Sequence, residues 1–237
     1  MRVLVIIPAY NEAKNITVLI EELKKTCPEY DLVAVNDSSE DNTAELCRRK
    51  GIGVLDLPVN LGIGGAVQSG YIYALRNGYD AAVQVDGDGQ HDPCYIAALL
   101  SQLEMGTDLC IGSRFLKNEG YRSSFSRRLG IRYFSHLIRL VTGLTVTDPT
   151  SGFRAAGRRA IGLFASDYPW DYPEPESIVT AARNGLIINE IPVIMIRRKT
   201  GRSTVTNIRS IYYMIKVSLA VIIASLCKYC HLKETDI

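Results

Sequence analysis

Short apolar runs alternate along the first half of the chain with segments whose apolar residues recur at helical spacing. The runs predict buried strands at 3–7, 32–35, 54–57, 81–85 and 109–112. Between them the spacing predicts amphipathic helices that end near Thr26, Lys50, Asn77 and Met105. This alternation predicts an α/β fold, in which a mostly parallel sheet carries helices on both faces.

The pattern changes after about residue 125, where apolar residues are interleaved with arginines. Arg128, Arg132 and Arg139 fall on roughly one face of a predicted helix, beside an aliphatic and aromatic face. Such a helix suits a membrane surface. A core helix with a solvated basic face is the alternative.

The remaining segments predict a loop at 148–154, an extended stretch at 172–176 because of its prolines, and a helix to about Asn184. A strand at 187–196 and an apolar helix from Asn207 to about Tyr229 follow. The unbroken apolar run at 217–227 is too short to span a bilayer, which needs about 20 residues. A buried core helix, an oligomer contact and an in-plane membrane helix all fit this last element.

Composition narrows the classes of function. A net charge of +2 does not indicate nucleic-acid binding, and 47% hydrophobic with 22% charged residues is globular. The six cysteines are scattered and suggest no disulfide framework, and a predicted strand begins at Val3. We therefore expect a reduced, cytoplasmic setting.

Two carboxylates separated by one glycine follow the strand at 81–85. Gly87 and Gly89 permit a tight bend, so Asp86 and Asp88 are expected at the carboxyl edge of the sheet, with Gln90 close by. Such oxygen ligands suit Mg²⁺ or Mn²⁺. An acidic, glycine-rich turn without a ligand explains these residues about equally well when they are taken alone.

Other strand ends are also polar, and they decide between these two explanations. The polar residues lie at Tyr10-Asn11-Glu12, Asp37 and Ser113-Arg114. Because parallel strands end at one edge, these side chains are expected to gather there and form a site. The glycine-rich segment 60–65 opens a helix, where it either binds a phosphate or lets the helix pack closely. The segment 197–203 has four cations around Gly201, which suit a diphosphate or a lipid phosphate, or form a solvated charge run.

Five motifs stand in an order that resembles family 2 glycosyltransferases of the GT-A fold. They lie at 6–12, 36–41, 86–91, 112–114 and 151–154. The resemblance covers about residues 1–203. The motif at 86–91 and Gly201-Arg202-Ser203 resemble dolichyl- or polyprenyl-phosphate sugar synthases. The segments 172–176 and 211–217 resemble small bacterial members that act near the membrane in cell-wall polysaccharide pathways.

The resemblance implies a GT-A domain over 1–203, with a nucleotide-sugar half at 1–115 and an acceptor half at 116–203. A C-terminal apolar helix and tail would occupy 204–237. One departure concerns the second strand, which in the family usually ends Asp-Gly-Ser and here reads Asp37-Ser38-Ser39. The missing glycine puts in question the turn near the nucleotide base, but not the fold.

The resemblance also implies an inverting transfer from a nucleoside diphosphate sugar, expected to be UDP-linked. Its residues are assigned as follows: Pro8, Tyr10, Glu12 and Asp37 to the nucleoside, Asp86, Asp88 and Gln90 to Mg²⁺ or Mn²⁺, and Arg114 and Arg202 to phosphate. His91 has a supporting role. A sugar hydroxyl acceptor would need a general base, for which Asp148, Glu174 and Glu176 are the candidates.

A lipid phosphate acceptor needs cations instead of a base. The candidates are Arg127, Arg128, Arg132, Arg198 and Lys199. We therefore favour polyprenyl phosphate over a carbohydrate hydroxyl, with the protein on the inner face of the cell membrane. A small membrane partner protein and a homo-oligomer through the C-terminal helix are further partners to test. A nucleotidyltransferase and a non-catalytic binding module are the alternatives of another class.

Overall fold

The computed structural model describes residues 1–117, 125–171, 173–196 and 207–226, without the side chains of 125–127 and 207–213. Within these residues seven strands form one sheet: β1 (Val3–Ala9), β2 (Asp31–Asn36), β3 (Gly53–Asp56), β4 (Ala81–Gln84), β5 (Leu109–Ser113), β6 (Arg154–Gly157) and β7 (Ile188–Pro192). The helices are α1 (Ile16–Thr26), α2 (Thr43–Arg49), α3 (Gly62–Arg76), α4 (Ile96–Glu104), α5 (Phe125–Thr142), α6 (Arg158–Ser166), α7 (Pro173–Arg183) and α8 (Asn207–Leu226). A 3₁₀ turn, Pro93–Tyr95, leads into α4.

The strand order is β3-β2-β1-β4-β6-β5-β7, and only β6 runs antiparallel to its neighbours among these strands. The register pairs Gln84, at the end of β4, with Arg154, at the start of β6. We call the edge where β1, β2, β4 and β5 end the carboxyl edge. Because β6 starts there, the loop before it also arrives at the carboxyl edge.

Helices cover both faces of the sheet because successive residues of β1 point into two separate cores. Leu4 and Ile6 pack with residues of α3 and α6 on one face. Val5 and Ile7 pack with residues of α1 and α4 on the other. The predicted α/β fold, a mostly parallel sheet with helices on both faces, is confirmed.

The segment 173–176 is helical, so the prediction of an extended stretch at 172–176 is wrong for the residues described. Pro173 and Pro175 lie in the first turn of α7. The first backbone N–H groups of a helix have no partner within it, so a proline there removes no helical hydrogen bond.

Two elements of the second half were not predicted. β6 and α6 follow the predicted loop at 148–154, in a segment for which the sequence pattern predicted no strand or helix. In addition, β7 ends at Pro192, before the predicted boundary at Ile196. The short strand β6 consists of Arg-Ala-Ala-Gly, whose small residues give no alternation of apolar and polar side chains.

The helices α5 and α8 lie together, and Tyr133 Oη and Ser218 Oγ are 2.9 Å apart. α8 buries Val217, Val221 and Ala224. Its opposite face exposes a row that we call the outer stripe of α8: Ile215, Leu219, Ile222, Ile223 and Leu226. Across the described residues, every helix is too short or too polar to cross a bilayer.

Candidate functional site

The turn formed by residues 86–90, which we call the acidic turn, follows β4 at the carboxyl edge. Gly89 has φ +72°, a conformation that glycine adopts without strain. The backbone N–H of Gly87 donates to Pro8 O at 3.3 Å, and a side chain at Gly87 would meet that oxygen at 3.0 Å. The two glycines therefore have distinct tasks, since one permits the bend and the other permits close contact with β1.

Gln84 and His91 both contact Asp86. Gln84 Nε2 donates to Asp86 Oδ1 at 3.0 Å. His91 Nδ1 accepts from the backbone N–H of Asp86 at 3.1 Å, so Nε2 carries the ring proton and lies 3.6 Å from Asp86 Oδ2. The His91 ring also stacks on Phe153 at 4.8 Å between centroids. Both ring nitrogens thus face Asp86, which agrees with a supporting role for His91.

The donor chemistry of the acidic turn fits a hard divalent cation. Within the described ranges no group of three or more His, Cys, Asp or Glu side chains is arranged to hold a metal. Asp86 and Asp88 provide two carboxylates, and Mg²⁺ is commonly bound by one or two carboxylates with substrate phosphates and water as its other ligands. Gln90 Nε2 lies 3.5 Å from Ile196 O, so the amide oxygen is the atom that Gln90 has left to offer.

The loops after β1 and β2 are joined by hydrogen bonds. Asn11 Oδ1 accepts from the backbone N–H groups of Glu40 at 2.8 Å and Asp41 at 3.3 Å. Glu12 N donates to Thr43 Oγ1 at 2.9 Å. Pro8 is buried and Tyr10 is exposed beside these loops. Sequence reasoning missed Asn11 as an organiser, although an asparagine directly after a strand is a known turn signal.

The turn that lacks the family's glycine keeps a glycine-like backbone. Ser38 has φ +58°, in the left-handed region that glycine favours. Asp37, just before it, is almost fully buried, and its Oδ1 accepts from Leu61 N at 2.7 Å. The serine therefore adopts this conformation at a cost in strain of about 1 kcal/mol, and Asp37 ties β2 to the start of α3.

The glycine-rich segment packs closely at Gly64, which favours the packing interpretation of the sequence over the phosphate site. Gly64 N donates to Trp170 O at 3.2 Å, and a Cβ on Gly64 would lie 2.1 Å from Pro169 O. A Cβ on Gly70 would lie 2.4 Å from Ile6 Cγ2. Because the N–H of Gly64 is bonded within the protein, it is not open to a phosphate.

Arg114 is held at the end of β5 by a fully buried carboxylate. Its Nε donates to Asp148 Oδ2 and its Nη2 to Asp148 Oδ1, both at 2.6 Å. Its backbone N–H also donates to Asp148 Oδ2 at 3.1 Å, and Nη2 reaches Thr150 Oγ1 at 2.9 Å. Both oxygens of Asp148 are thus engaged by one guanidinium. This geometry is unfavourable for the general base that the sequence offered as one alternative, because the Asp148 side chain is 0% exposed and both its oxygens already accept from Arg114.

Residues 147–153, which we call the 147–153 loop, connect this pair to the acidic turn. A Cβ on Gly152 would lie 2.9 Å from both Asp86 Oδ2 and Gln84 Nε2. The other end of the loop is bound by Glu190 of β7, whose carboxylate accepts from the backbone N–H groups of Thr147 and Asp148. Glu190 was missed by sequence reasoning, and no local signal marks it, because its partners are 43 and 42 residues away.

Arg154 is a buried cation held by neutral oxygens. Its guanidinium donates to Ser151 O and Ser177 Oγ, both at 2.7 Å, to Glu174 O at 2.8 Å and to Pro149 O at 3.3 Å. It has no ion-pair partner among the described residues. Arg154 therefore joins the 147–153 loop to the first turn of α7.

The two acids of α7 have different surroundings. Burial raises the pKa of Glu174, while the nearby charge of Arg154 opposes that rise and the negative charge of Asp86 adds to it. Burial also raises the pKa of Glu176, and there the neighbouring charge is Asp167. The charges that act on Glu174 are therefore those of Arg154, Asp86 and Arg114, whereas the charge that acts on Glu176 is that of Asp167.

Some predicted residues cannot be placed. Arg202, Arg198, Lys199 and Tyr172 lie outside the described residues, as does the side chain of Arg127. Arg128 and Arg132 are exposed on α5.

The sequence is similar to those of two bacterial proteins. The chain is 30% identical over 226 residues to polyprenol monophosphomannose synthase of Mycolicibacterium smegmatis, covering 90% of this chain and 85% of that protein. It is 33% identical over 212 residues to undecaprenyl-phosphate mannosyltransferase of Micrococcus luteus, covering 86% and 87%.

The fold is also that of a solved enzyme. Glucosyl-3-phosphoglycerate synthase of Mycobacterium tuberculosis, in complex with Mn²⁺, UDP-glucose and phosphoglyceric acid, superposes with a TM-score of 0.72 at 19% identity, covering 94% of this chain and 79% of that one. The GT-A fold expected from the motifs is thereby confirmed. Residues 4–163 match the family model described as Glycosyl transferase family 2, and the chain belongs to that family.

Proposed function

We propose that the protein transfers a sugar, with inversion, from a nucleoside diphosphate sugar to polyprenyl phosphate, with Mg²⁺ or Mn²⁺ as cofactor. The observation that carries this proposal is the meeting of the acidic turn and the Arg114–Asp148 pair at one edge of the sheet. The names of the two bacterial relatives, both transferases to polyprenyl phosphates, support the acceptor. We propose a UDP-linked donor, as in the solved enzyme that resembles this fold.

On the donor side, the bond between the anomeric carbon and the diphosphate breaks, and negative charge grows on the leaving diphosphate. Asp86 and Asp88, with Gln90, would hold the divalent cation, which supplies positive charge at the diphosphate. Arg114 would add a second positive charge, already oriented by Asp148 before the substrate arrives. Groups oriented in advance stabilise the transition state without a cost of reorganisation during the reaction.

On the acceptor side, a polyprenyl phosphate oxygen attacks the anomeric carbon on the face opposite the leaving group. That oxygen is already anionic near neutral pH, so no general base is needed. We propose that Arg128 and Arg132, exposed on α5, attract this anion to the site. If the acceptor were a sugar hydroxyl instead, Glu174 would be favoured over Glu176 as the base, because the charges that act on Glu174 include those of Asp86 and Arg114.

We further propose that the protein lies on the membrane surface where its lipid acceptor resides. The outer stripe of α8 exposes five large aliphatic side chains, and Leu129 and Leu140 are exposed on neighbouring α5. Apolar residues next to arginines favour binding in the plane of an anionic lipid surface. A small membrane partner protein and a homo-oligomer through α8 are the alternative occupants of this stripe.

The test is a transfer assay with defined donors and acceptors. The purified protein is incubated with labelled UDP-glucose, UDP-N-acetylglucosamine or GDP-mannose and Mn²⁺. Polyprenyl phosphate is presented in anionic vesicles. We expect label in the lipid fraction with one of these donors, release of the nucleoside diphosphate, and loss of both in EDTA. Vesicles without polyprenyl phosphate are the control for hydrolysis of the donor.

Transfer to an oligosaccharide with none to the lipid would contradict the proposed acceptor and support the carbohydrate alternative. Activity that is unchanged in EDTA would contradict the proposed cofactor. Release of pyrophosphate would indicate nucleotidyl transfer. Each result therefore overturns a different part of the proposal.

A further inference from the structure

Arg114 is oriented by Asp148, and the backbone of Asp148 is in turn held by a second carboxylate. Glu190 Oε2 accepts from Thr147 N at 2.7 Å and from Thr147 Oγ1 at 3.0 Å. Glu190 Oε1 accepts from Asp148 N at 2.9 Å. The carboxylate of Glu190 thus binds two consecutive backbone N–H groups at the start of the 147–153 loop.

This contact fixes the direction of the Asp148 side chain. A carboxylate that binds two adjacent N–H groups holds the peptide between them in one orientation. The Asp148 carboxylate binds Arg114 at three nitrogens, so a rotation of that peptide would displace the guanidinium as well. Ser113 Oγ and Thr147 Oγ1 lie 2.6 Å apart, so hydrogen bonds connect β7 to the loop and the loop to the end of β5.

The use of an acid at position 190 is costly for a purely structural contact. Burial raises the pKa of Glu190, the hydrogen bonds from Thr147 and Asp148 oppose that rise, and the negative charge of Asp148 adds to it. A neutral side chain would avoid this repulsion. It would also offer only one acceptor atom where two N–H groups need partners.

We propose that Glu190 is a positioning residue for sugar transfer, acting through Asp148, which grips the Nε and Nη2 side of Arg114, to hold that guanidinium in one orientation at the carboxyl edge. This inference rests on the proposed function. Glu190 does not touch the reacting atoms in this scheme. Its effect on the reaction should therefore depend on the presence of the Arg114 guanidinium.

A double-mutant cycle on the full chain tests this dependence. Glu190→Gln keeps the shape but replaces one acceptor oxygen by an NH₂ group, which cannot accept from a backbone N–H. Arg114→Lys keeps the charge but removes the planar fork that Asp148 aligns. The kcat and the KM for donor and acceptor are measured for the wild type, both single variants and the double variant.

We expect Glu190→Gln to lower kcat by about 10- to 100-fold, as is usual for residues that orient a functional group, with KM changed by less than about threefold. In the Arg114→Lys background the same substitution should lower kcat by less than about threefold. Equal factors in the two backgrounds, or no effect of Glu190→Gln alone, would overturn the proposal. Circular dichroism confirms that each variant is folded.

Asp108→Asn is the matched control. Like Glu190, Asp108 accepts from a backbone N–H group, here that of Ile187 at 2.8 Å. This contact lies at the opposite end of β5 and β7 from the carboxyl edge. Asp108 pairs with Arg159 and has no contact with the 147–153 loop among the described residues. We expect near-wild-type kcat and the same small factor in both Arg114 backgrounds.

Two further outcomes remain decisive. If Glu190→Gln does not fold, Thr147→Val takes its place in the cycle, because it removes the hydroxyl donor to Glu190 and keeps the backbone. If the wild type uses an acceptor other than polyprenyl phosphate, the proposed acceptor fails and the same cycle, run with that acceptor, still decides the role of Glu190. The absence of transfer to every acceptor overturns both proposals.

Discussion

The acidic turn and the 147–153 loop lie side by side at the carboxyl edge, but their charged side chains differ in exposure to solvent. The side chain of Asp86 in the turn is 36% exposed. That of Asp148 in the loop is 0% exposed, and Arg154, which directly follows the loop, is 1% exposed. The turn keeps carboxylate oxygens within reach of a ligand, whereas the loop uses its charged and polar groups inside the protein.

This difference separates a binding element from the scaffold that orients it. A partly exposed carboxylate is stabilised by water and contributes little to folding, so its replacement should affect function more than stability. A buried, hydrogen-bonded charge has no water to replace a lost partner, so its replacement should affect stability first. The following substitutions test this separation, from the largest expected effect to the smallest.

Arg154→Met should lower the free energy of unfolding by about 3–5 kcal/mol, because four buried oxygens lose their donor. Urea unfolding measures it. Arg158→Met is the control, since that arginine is 60% exposed in its pair with Asp80 and should cost less than about 1 kcal/mol. Equal losses for the two variants would remove the distinction between scaffold and surface.

Asp88→Asn should lower kcat by about 10²- to 10³-fold in the presence of Mn²⁺, because it removes the negative charge expected to hold the cation. The amide oxygen of asparagine can still accept from Gln90 N, as Asp88 Oδ1 does at 3.0 Å. The free energy of unfolding should therefore change by less than about 0.5 kcal/mol.

The neighbouring Asp92→Asn is the control for this substitution. Asp92 Oδ1 caps the 3₁₀ turn by accepting from Cys94 N, and asparagine caps about as well. Its activity and stability should both stay near those of the wild type. An Asp88→Asn variant that unfolds, or one that keeps its activity, would contradict the assignment of the acidic turn as the binding element.

Gly152→Ala tests the contact between the two regions. The new Cβ would lie 2.9 Å from Asp86 Oδ2 and from Gln84 Nε2, so the loop or the turn must move. We expect a loss of about 1–3 kcal/mol in the free energy of unfolding, together with weaker activation by Mn²⁺ in a titration. Gly162→Ala, where a Cβ within α6 meets nothing within 4 Å, should instead stabilise by about 0.5–1 kcal/mol.

Two partial results for Gly152→Ala would show which of the two regions moves. Wild-type activation by Mn²⁺ with reduced stability would mean that the loop yields and the acidic turn keeps its geometry. Loss of activation without loss of stability would mean that the turn yields. Weaker activation by Mn²⁺, with or without a loss of stability, supports a role for the loop in aligning Asp86, and unchanged activation contradicts it.

Local chemistry determined much of this protein. The apolar runs of β1, β2 and β4 are visible in the sequence because a strand that is buried on both faces consists almost entirely of apolar residues. The acidic turn is also visible, because its glycines and carboxylates are adjacent in the chain. The five motifs in order were sufficient to predict the GT-A fold and the glycosyltransferase family.

Tertiary structure decided the features that depend on distant partners. Asp148 is a candidate base by its residue type, and only the fold shows that both its oxygens accept from Arg114, 34 residues away. The antiparallel β6 and the role of Glu190 depend on pairings across the sheet, which no local pattern records. A residue's type can be read from the chain, but whether its charge remains available to a ligand depends on which groups the fold brings within hydrogen-bonding distance.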